Sequence, residues 1–158
     1  MSGLKKRIMR DINKSLESQD YEFIPKDDAS DEFYMKFTVQ EGWYKGQLHV
    51  VHIKLNYGEH TYPKQPPLCT FLTPIWHPNI GTTGIICVDT LKEKWTPLMS
   101  FEDVFLTLVL LLSEPNPNSP QNSTAGSQYN SKRNEFLEYV KKYYDDKQGS
   151  KCANSIIG

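Results

Sequence analysis

The sequence predicts an α+β fold: an N-terminal helix, a four-stranded antiparallel meander, a long ordered loop holding Cys87, then a central and a C-terminal helix. Three observations carry this. Apolar residues recur every four positions at the start of the chain. Short β-branched and aromatic segments with brief connections follow. A proline-rich stretch then gives way to two further helical patterns.

Leu4, Ile8, Ile12 and Leu16 define an amphipathic helix, with Lys5, Lys6, Arg7 and Arg10 between them as a basic outer face. "YEFIP" (21–25), "FYMKFTV" (33–39), "LHVVHIKL" (48–55) and "LCTFLT" (68–73) read as strands, separated by the turn-like "PKDDASD" and "QEGWYKGQ". Short connections between consecutive strands favour antiparallel pairing. Cys69, His49 and His52 fall within these strands and read as structural. Nine of the ten prolines lie between Pro63 and Pro120, so the chain from Tyr62 to Ser100 is mostly loop around one short strand. Ile75, Trp76, Ile80, Ile85, Ile86, Val88, Leu91 and Trp95 give that loop too many apolar anchors for disorder. Ser100 and Asp103 form a short capping box for a helix to about Ser113, apolar nearly all round and therefore read as central and buried. "EPNPNSP" ends it. Ser131 reads as the cap of a last helix to about Asp146, with Phe136, Leu137, Val140 and Tyr144 inward. The organisation expected is one domain over residues 1–147 and a short, loose C-terminal tail over 148–158.

At 158 residues the chain suits one domain with a real core. Hydrophobic residues at 38% argue against disorder, and a net charge of −1 argues against nucleic acid as the main partner. The N-terminal stretch has no apolar leader pattern, and "VFLTLVLLL" (104–112) is far short of the ~20 residues of a membrane span. Cys69, Cys87 and Cys152 fit no zinc spacing, so no metal is expected, and a reduced cytoplasmic or nuclear compartment is the simplest setting. The sequons at Asn13 and Asn122 read as chance matches.

By composition alone Cys87, between Ile86 and Val88, is a buried packing residue. It has no adjacent Arg, Lys or His to hold a thiolate. His77 is near in sequence, but "His-Pro-Asn" at 77–79 resembles a rigid turn more than a mobile base. A second chemistry needs no strong base. A cysteine that receives an acyl group already activated as a thioester, then yields it to an amine, requires mainly a neutral donor for the tetrahedral oxyanion. The amide of Asn79 is such a donor.

In its motifs the chain resembles ubiquitin-conjugating enzymes. The resemblance rests on "YPKQPP" (62–67), "HPNI" (77–80), "GIICVD" (84–89), "WTP" (95–97) and "EPNP" (114–117), and runs over roughly residues 4–147. It implies that family's fold and a carrier transferase. Cys87 would hold the C-terminus of ubiquitin or a ubiquitin-like protein as a thioester and pass it to a substrate lysine, usually with a ligase. Asn79 would stabilise the oxyanion, Ser119 and Asp89 would position the amine, and His77 and Pro78 would hold the turn. Leu106 would contact the carried modifier. Lys5, Lys6 and Arg7 would dock the activating enzyme, and Lys64, Pro97 and Leu98 the ligase. No cofactor is implied, since ATP is used by the activating enzyme. The shortened "QEGWYKGQ", Lys64 in place of a common phenylalanine and Gln121 in place of a usual leucine depart from the pattern. "RIMRDIN" (7–13) and "EGWYKG" (41–46) resemble the branch that conjugates the Nedd-type modifier, while the short stretch before the first helix differs from that branch's longer arm. Two other classes remain: a family member that only binds its partners, and a cysteine hydrolase built on Cys87 and His77.

Overall fold

Ile8 and Ile12 sit half-buried on one side of helix α1 (Gly3–Leu16). Leu4 and Leu16, the ends of the expected stripe, are half-exposed, and the buried face is centred on the polar Asp11 and Ser15. Hydrogen bonding makes this possible: Ser15 Oγ meets the Tyr21 hydroxyl at 2.9 Å, and Asp11 accepts from Arg7 and Tyr62. The computed structural model describes residues 3–27 and 31–156.

Strands β1 (Glu22–Pro25), β2 (Glu32–Thr38) and β3 (Leu48–Lys54) follow. A two-stranded ribbon, β4 (Asn56–Tyr57) and β5 (His60–Thr61), which the sequence did not announce, leads to β6 (Leu68–Phe71). The main sheet has the order β1-β2-β3-β6, all antiparallel, with Met35 opposite both Phe23 and Val51 and Ile53 opposite Cys69. Alternation puts Phe33, Met35, Phe37, Val51, Ile53 and Phe71 on one face, all buried. There they meet Phe101, Val104, Leu108 and Leu112 of α3 (Phe101–Ser113), which follows the short α2 (Val88–Lys92). Phe23 stacks on Phe33 and Phe101 at 4.8 and 4.7 Å. Each such side chain contributes roughly 1.5–3 kcal/mol on full burial. The Ser100 N–H donates to Asp103 Oδ2 (2.8 Å), so the expected cap is present. The expectation of a central, buried helix holds for one face of α3 only: on the other, Leu106 and Leu110 are 53% and 49% exposed.

The C-terminal region differs further. Asn122 caps α4 (Ser123–Ser131), its Oδ1 accepting from the Ala125 N–H at 3.1 Å. Ser131 therefore ends a helix instead of opening one, and α5 (Arg133–Asp146) begins beyond Lys132. Phe136, Val140 and Tyr144 are buried as expected, and Leu137 is half-buried.

Within the expected loose tail, residues 149–156 form helix α6 (Gly149–Ile156), packed on β3. It covers the sheet face opposite α3, where Val50 is fully buried, and Lys36 Nζ donates to Asn154 Oδ1 at 3.2 Å. The reversal from α5 uses Gln148 at φ 53° and a glycine at 149, where a Cβ would lie 2.2 Å from the Tyr144 ring. The Tyr144 hydroxyl accepts from the Leu48 N–H and donates to the Leu48 carbonyl, both at 2.9 Å.

Candidate active site

The chain reaches Cys87 through a turn pinned to the edge of β6. Gly84 adopts φ +89°, and a Cβ there would fall 1.8 Å from the Phe71 carbonyl oxygen, so only glycine allows this approach. The Phe71 N–H donates to the Gly84 carbonyl (2.8 Å). Ile80 and Ile86, paired by an isolated bridge, are buried beneath the turn. Cys87 then stands at the entry to α2, half-buried, and lines a cavity of about 370 Å³. The inert packing role fits Cys69 instead, which is fully enclosed with its thiol pushed up to about 12 by burial.

Four side chains named from the sequence, Cys87, Asn79, Asp89 and Ser119, line that one cavity. Asp89 and Ser119 are exposed at its edge, and Asn79 is buried. Glu93, Glu114 and Asn116 line it too, although nothing in their sequence pattern assigned them a part. Asn116 lies inside the quoted "EPNP", but its contribution is made by its backbone, which side-chain chemistry does not reveal.

His77 is fully buried, and both ring nitrogens are committed. Nε2–H donates to the Leu111 carbonyl at 2.8 Å, so Nδ1 is the acceptor for the Asn79 N–H at 2.9 Å. Burial lowers its pKa to about 4, which keeps the imidazole neutral at pH 7. The Tyr44 ring stacks on it at 5.5 Å. The Pro78 carbonyl accepts from the N–H groups of Gln121 (2.8 Å) and Asn122 (3.0 Å). His77 and Pro78 thus bolt the turn to α3 and to the segment after it.

Asn79 faces the same segment. Its Nδ2 donates to the Asn116 carbonyl at 2.5 Å, and its Oδ1 accepts from the Asn116 N–H at 2.7 Å. A longer contact of 3.4 Å joins Nδ2 to the Ser119 carbonyl. The amide is therefore held at the cavity wall, its Nδ2 making one short contact and one long one.

The remaining residues lie outside this cavity. Leu106 is on the exposed face of α3, one turn before Leu110, which does line the cavity. Lys6, Lys64 and Pro97 are exposed, as is Lys5, and Leu98 is 89% exposed. Arg7 departs from the free cation expected of a docking residue. Its guanidinium bonds Asp11 and the carbonyls of Pro97 and Met99, so its charge is spent inside the molecule. Among the described residues no cluster of three or more His, Cys, Asp or Glu side chains is placed to hold a metal, and no helix is long and apolar enough to cross a membrane.

Comparison with known proteins meets this geometry. Ubiquitin-conjugating enzyme E2 21 of Caenorhabditis elegans is 45% identical over 78 residues, 49% of this chain and 36% of that protein. Human ubiquitin-conjugating enzyme E2 K is 41% identical over 87 residues, 54% of this chain and 42% of that protein. The chain spans about half the length of the curated relatives it matches, or less. Among solved structures, a Plasmodium yoelii chain solved as a candidate ubiquitin conjugating enzyme superposes with a TM-score of 0.80 at 27% identity, covering 92% of this chain and 96% of that one. S. cerevisiae Ubc12 gives a TM-score of 0.74 at 26% identity, over 89% of this chain and 78% of that one. The family description "Ubiquitin-conjugating enzyme" matches residues 7–144, a span that takes in most of α1, the whole sheet and every residue lining the Cys87 cavity. The chain belongs to the ubiquitin-conjugating enzyme family.

Proposed function

We propose that this protein is a carrier transferase that takes ubiquitin or a Nedd-type modifier from an activating enzyme and gives it to a substrate lysine, with a ligase assisting. The observation that carries the reading is a half-exposed cysteine at a cavity whose neighbouring histidine is not free to act as a base. That combination suits exchange of an acyl group activated elsewhere and fits a hydrolase poorly, since a Cys–His hydrolase needs an imidazole nitrogen on the thiol.

In the first step the Cys87 thiolate attacks the thioester carbonyl carbon of the modifier. A new C–S bond forms, and the activating enzyme's cysteine leaves as thiolate. In the second, a neutral lysine amine attacks the same carbon, the C–S bond to Cys87 breaks, and an isopeptide C–N bond remains. The amine's proton passes to solvent or to a rim carboxylate, for which Asp89 is the nearest in sequence to Cys87. Asn79 supplies its weakly bonded Nδ2–H to the oxyanion of that step, and Ser119 positions the incoming amine. Leu106 contacts the carried modifier. Lys5 and Lys6 meet the activating enzyme, and Lys64, Pro97 and Leu98 meet the ligase. ATP is consumed by the activating enzyme, and the chain needs no cofactor of its own. The setting is cytoplasmic or nuclear.

The name shared by the relatives favours ubiquitin, and the "EGWYKG" stretch favours the Nedd-type modifier. Charging with the purified activating enzyme for each, ATP and the matching modifier, run side by side, separates the two. A thiol-reducible adduct is expected with one modifier and absent from Cys87→Ala. Absence of any adduct favours a binding module, and ATP-independent cleavage of ester substrates favours the hydrolase.

A further inference from the structure

The segment "QEGWYKGQ" (40–47), which joins β2 to β3, does more than reverse the chain. Backbone bonds close it: the Val39 N–H donates to the Gln47 carbonyl at 2.9 Å, and the Gly46 N–H to the Val39 carbonyl at 2.8 Å. Its two aromatic residues then serve different neighbours. Trp43 packs edge-on against Tyr129 of α4 (5.8 Å) and Phe136 of α5 (5.5 Å) and fastens the hairpin to the helices. Tyr44 is 1% exposed and reaches the turn before Cys87. Its ring stacks on the His77 imidazole at an interplanar angle of 27°, and its hydroxyl donates to the Trp76 carbonyl at 2.5 Å. Burial pushes its pKa well above the usual 10, so the hydroxyl keeps its proton and stays a donor.

A ring bonded through both nitrogens is fixed along the line that joins them, yet it can still tilt about that line. His77 is bonded in this way, to the Leu111 carbonyl and the Asn79 N–H. The face of Tyr44 opposes the tilt. Its hydroxyl also fixes the peptide group one residue upstream, and the other end of Trp76 is held by Gln128, whose Oε1 accepts from the indole Nε1–H at 2.7 Å. Gln121 and Asn122 hold the turn at Pro78, and Asn116 holds it at Asn79. Tyr44 therefore supplies its support from the upstream side. We infer that Tyr44 is a positioning residue for acyl transfer to lysine: through its ring and its hydroxyl it holds the turn of His77 and Asn79 so that the Asn79 amide meets the oxyanion. The part in transfer rests on the proposed carrier function, and the hold on the turn does not.

Hydrogen exchange in the uncharged protein reads that hold through the Asn79 amide, which is bonded to His77 Nδ1 at 2.9 Å. Tyr44→Phe keeps the ring and removes the hydroxyl. It should speed exchange at Asn79 about tenfold and leave Met35 and Val51, paired at the centre of the sheet, unchanged. Single-turnover discharge of the preformed Cys87 thioester to free lysine reads the consequence. Tyr44→Phe should slow it about tenfold at saturating lysine, whereas Ile53→Val, a change in the buried face of β3, should not slow it. A double-mutant cycle decides whether the effect runs through the amide. In an Asn79→Ala background Tyr44→Phe should slow discharge no further, because the group that it positions is gone. Exchange at Asn79 that stays slow in Tyr44→Phe overturns the hold, as does exchange that rises equally at Met35 and Val51. Discharge that is normal in Tyr44→Phe, that Ile53→Val slows as much, or that Tyr44→Phe slows by the same factor with and without the Asn79 amide overturns the positioning role. If no modifier can be charged at all, the carrier function fails and the part in transfer with it, while the exchange data still decide whether Tyr44 holds the turn.

Discussion

The amide of Asn79 faces two demands, one from the segment it pins and one from the chemistry proposed for it. Its two strong hydrogen bonds go to the backbone of Asn116, leaving the 3.4 Å contact to Ser119 as the weak one. Asn79→Ala removes both strong bonds and leaves the Asn116 N–H without its partner, which costs about 1–3 kcal/mol of stability. The same substitution should slow transfer to lysine by ~10²–10³ if the amide is the oxyanion donor, with Cys87 still charged. Asn79→Asp separates the demands. It keeps an acceptor for the Asn116 N–H but offers no N–H, so stability should recover in part and transfer should not. Urea unfolding and single-turnover discharge on the same three proteins measure both. Transfer restored by aspartate would remove the donor role. A stability unchanged in alanine would remove the pin.

Among the elements, those whose burial depends on apolar periodicity were legible in the sequence, and those that pack through small or polar residues were not. All four strands of the main sheet appear within two residues of their expected ends, because alternating aromatic and β-branched residues are what a sheet with one covered face demands. The His-Pro-Asn turn was legible too, since prolines restrict their neighbours. Helix α6 was not, because its inner stripe, Gly149, Cys152, Ala153 and Ile156, is made mostly of small residues that give little apolar signal, and Ala153, its fully buried side chain, is a single methyl. Arg7 misled for the opposite reason: a cation on a helix reads as exposed, and its three acceptors come from Asp11 one turn on and a loop ninety residues away. If close approach is what seats α6, Gly149→Ala should destabilise the protein by about 1–3 kcal/mol, since its Cβ would force the Tyr144 ring off its bonds to Leu48. Ser150→Ala, whose hydroxyl lies on the exposed side at 3.2 Å from the same phenol, should cost far less. Equal urea midpoints for Gly149→Ala and the parent would show that the reversal tolerates a side chain and that Tyr144 is not its seat.

On the scale of the whole molecule, two fully buried histidines make stability depend on pH. His49 lies between the Phe71 and Tyr144 rings, its Nε2–H donating to Gln47 Oε1 (2.9 Å) and its Nδ1 accepting from the Thr73 hydroxyl (2.6 Å). Burial lowers it to about 3, and His77 to about 4, from an ordinary value of 6.5. In both the folded state resists a proton that the unfolded chain accepts, so between pH 6.5 and the folded value the unfolded state binds more protons and stability falls as pH falls. Above about pH 7 neither group contributes a slope. Below pH 6 each adds a little over 1 kcal/mol per pH unit, so the two together should remove about 2–3 kcal/mol between pH 6 and 5. Protonating His77 also places a second N–H against the Asn79 N–H that it now accepts, so acid should loosen the cavity wall beside Cys87 as well as the frame. A urea series from pH 8 to 4.5 measures the slope, and His77→Gln, which keeps a donor for Leu111 and an acceptor for Asn79 but does not titrate, should halve it. A flat profile down to pH 4.5, or one that His77→Gln leaves at full steepness, would mean that the bolt between α3 and the turn opens to take up its proton without cost.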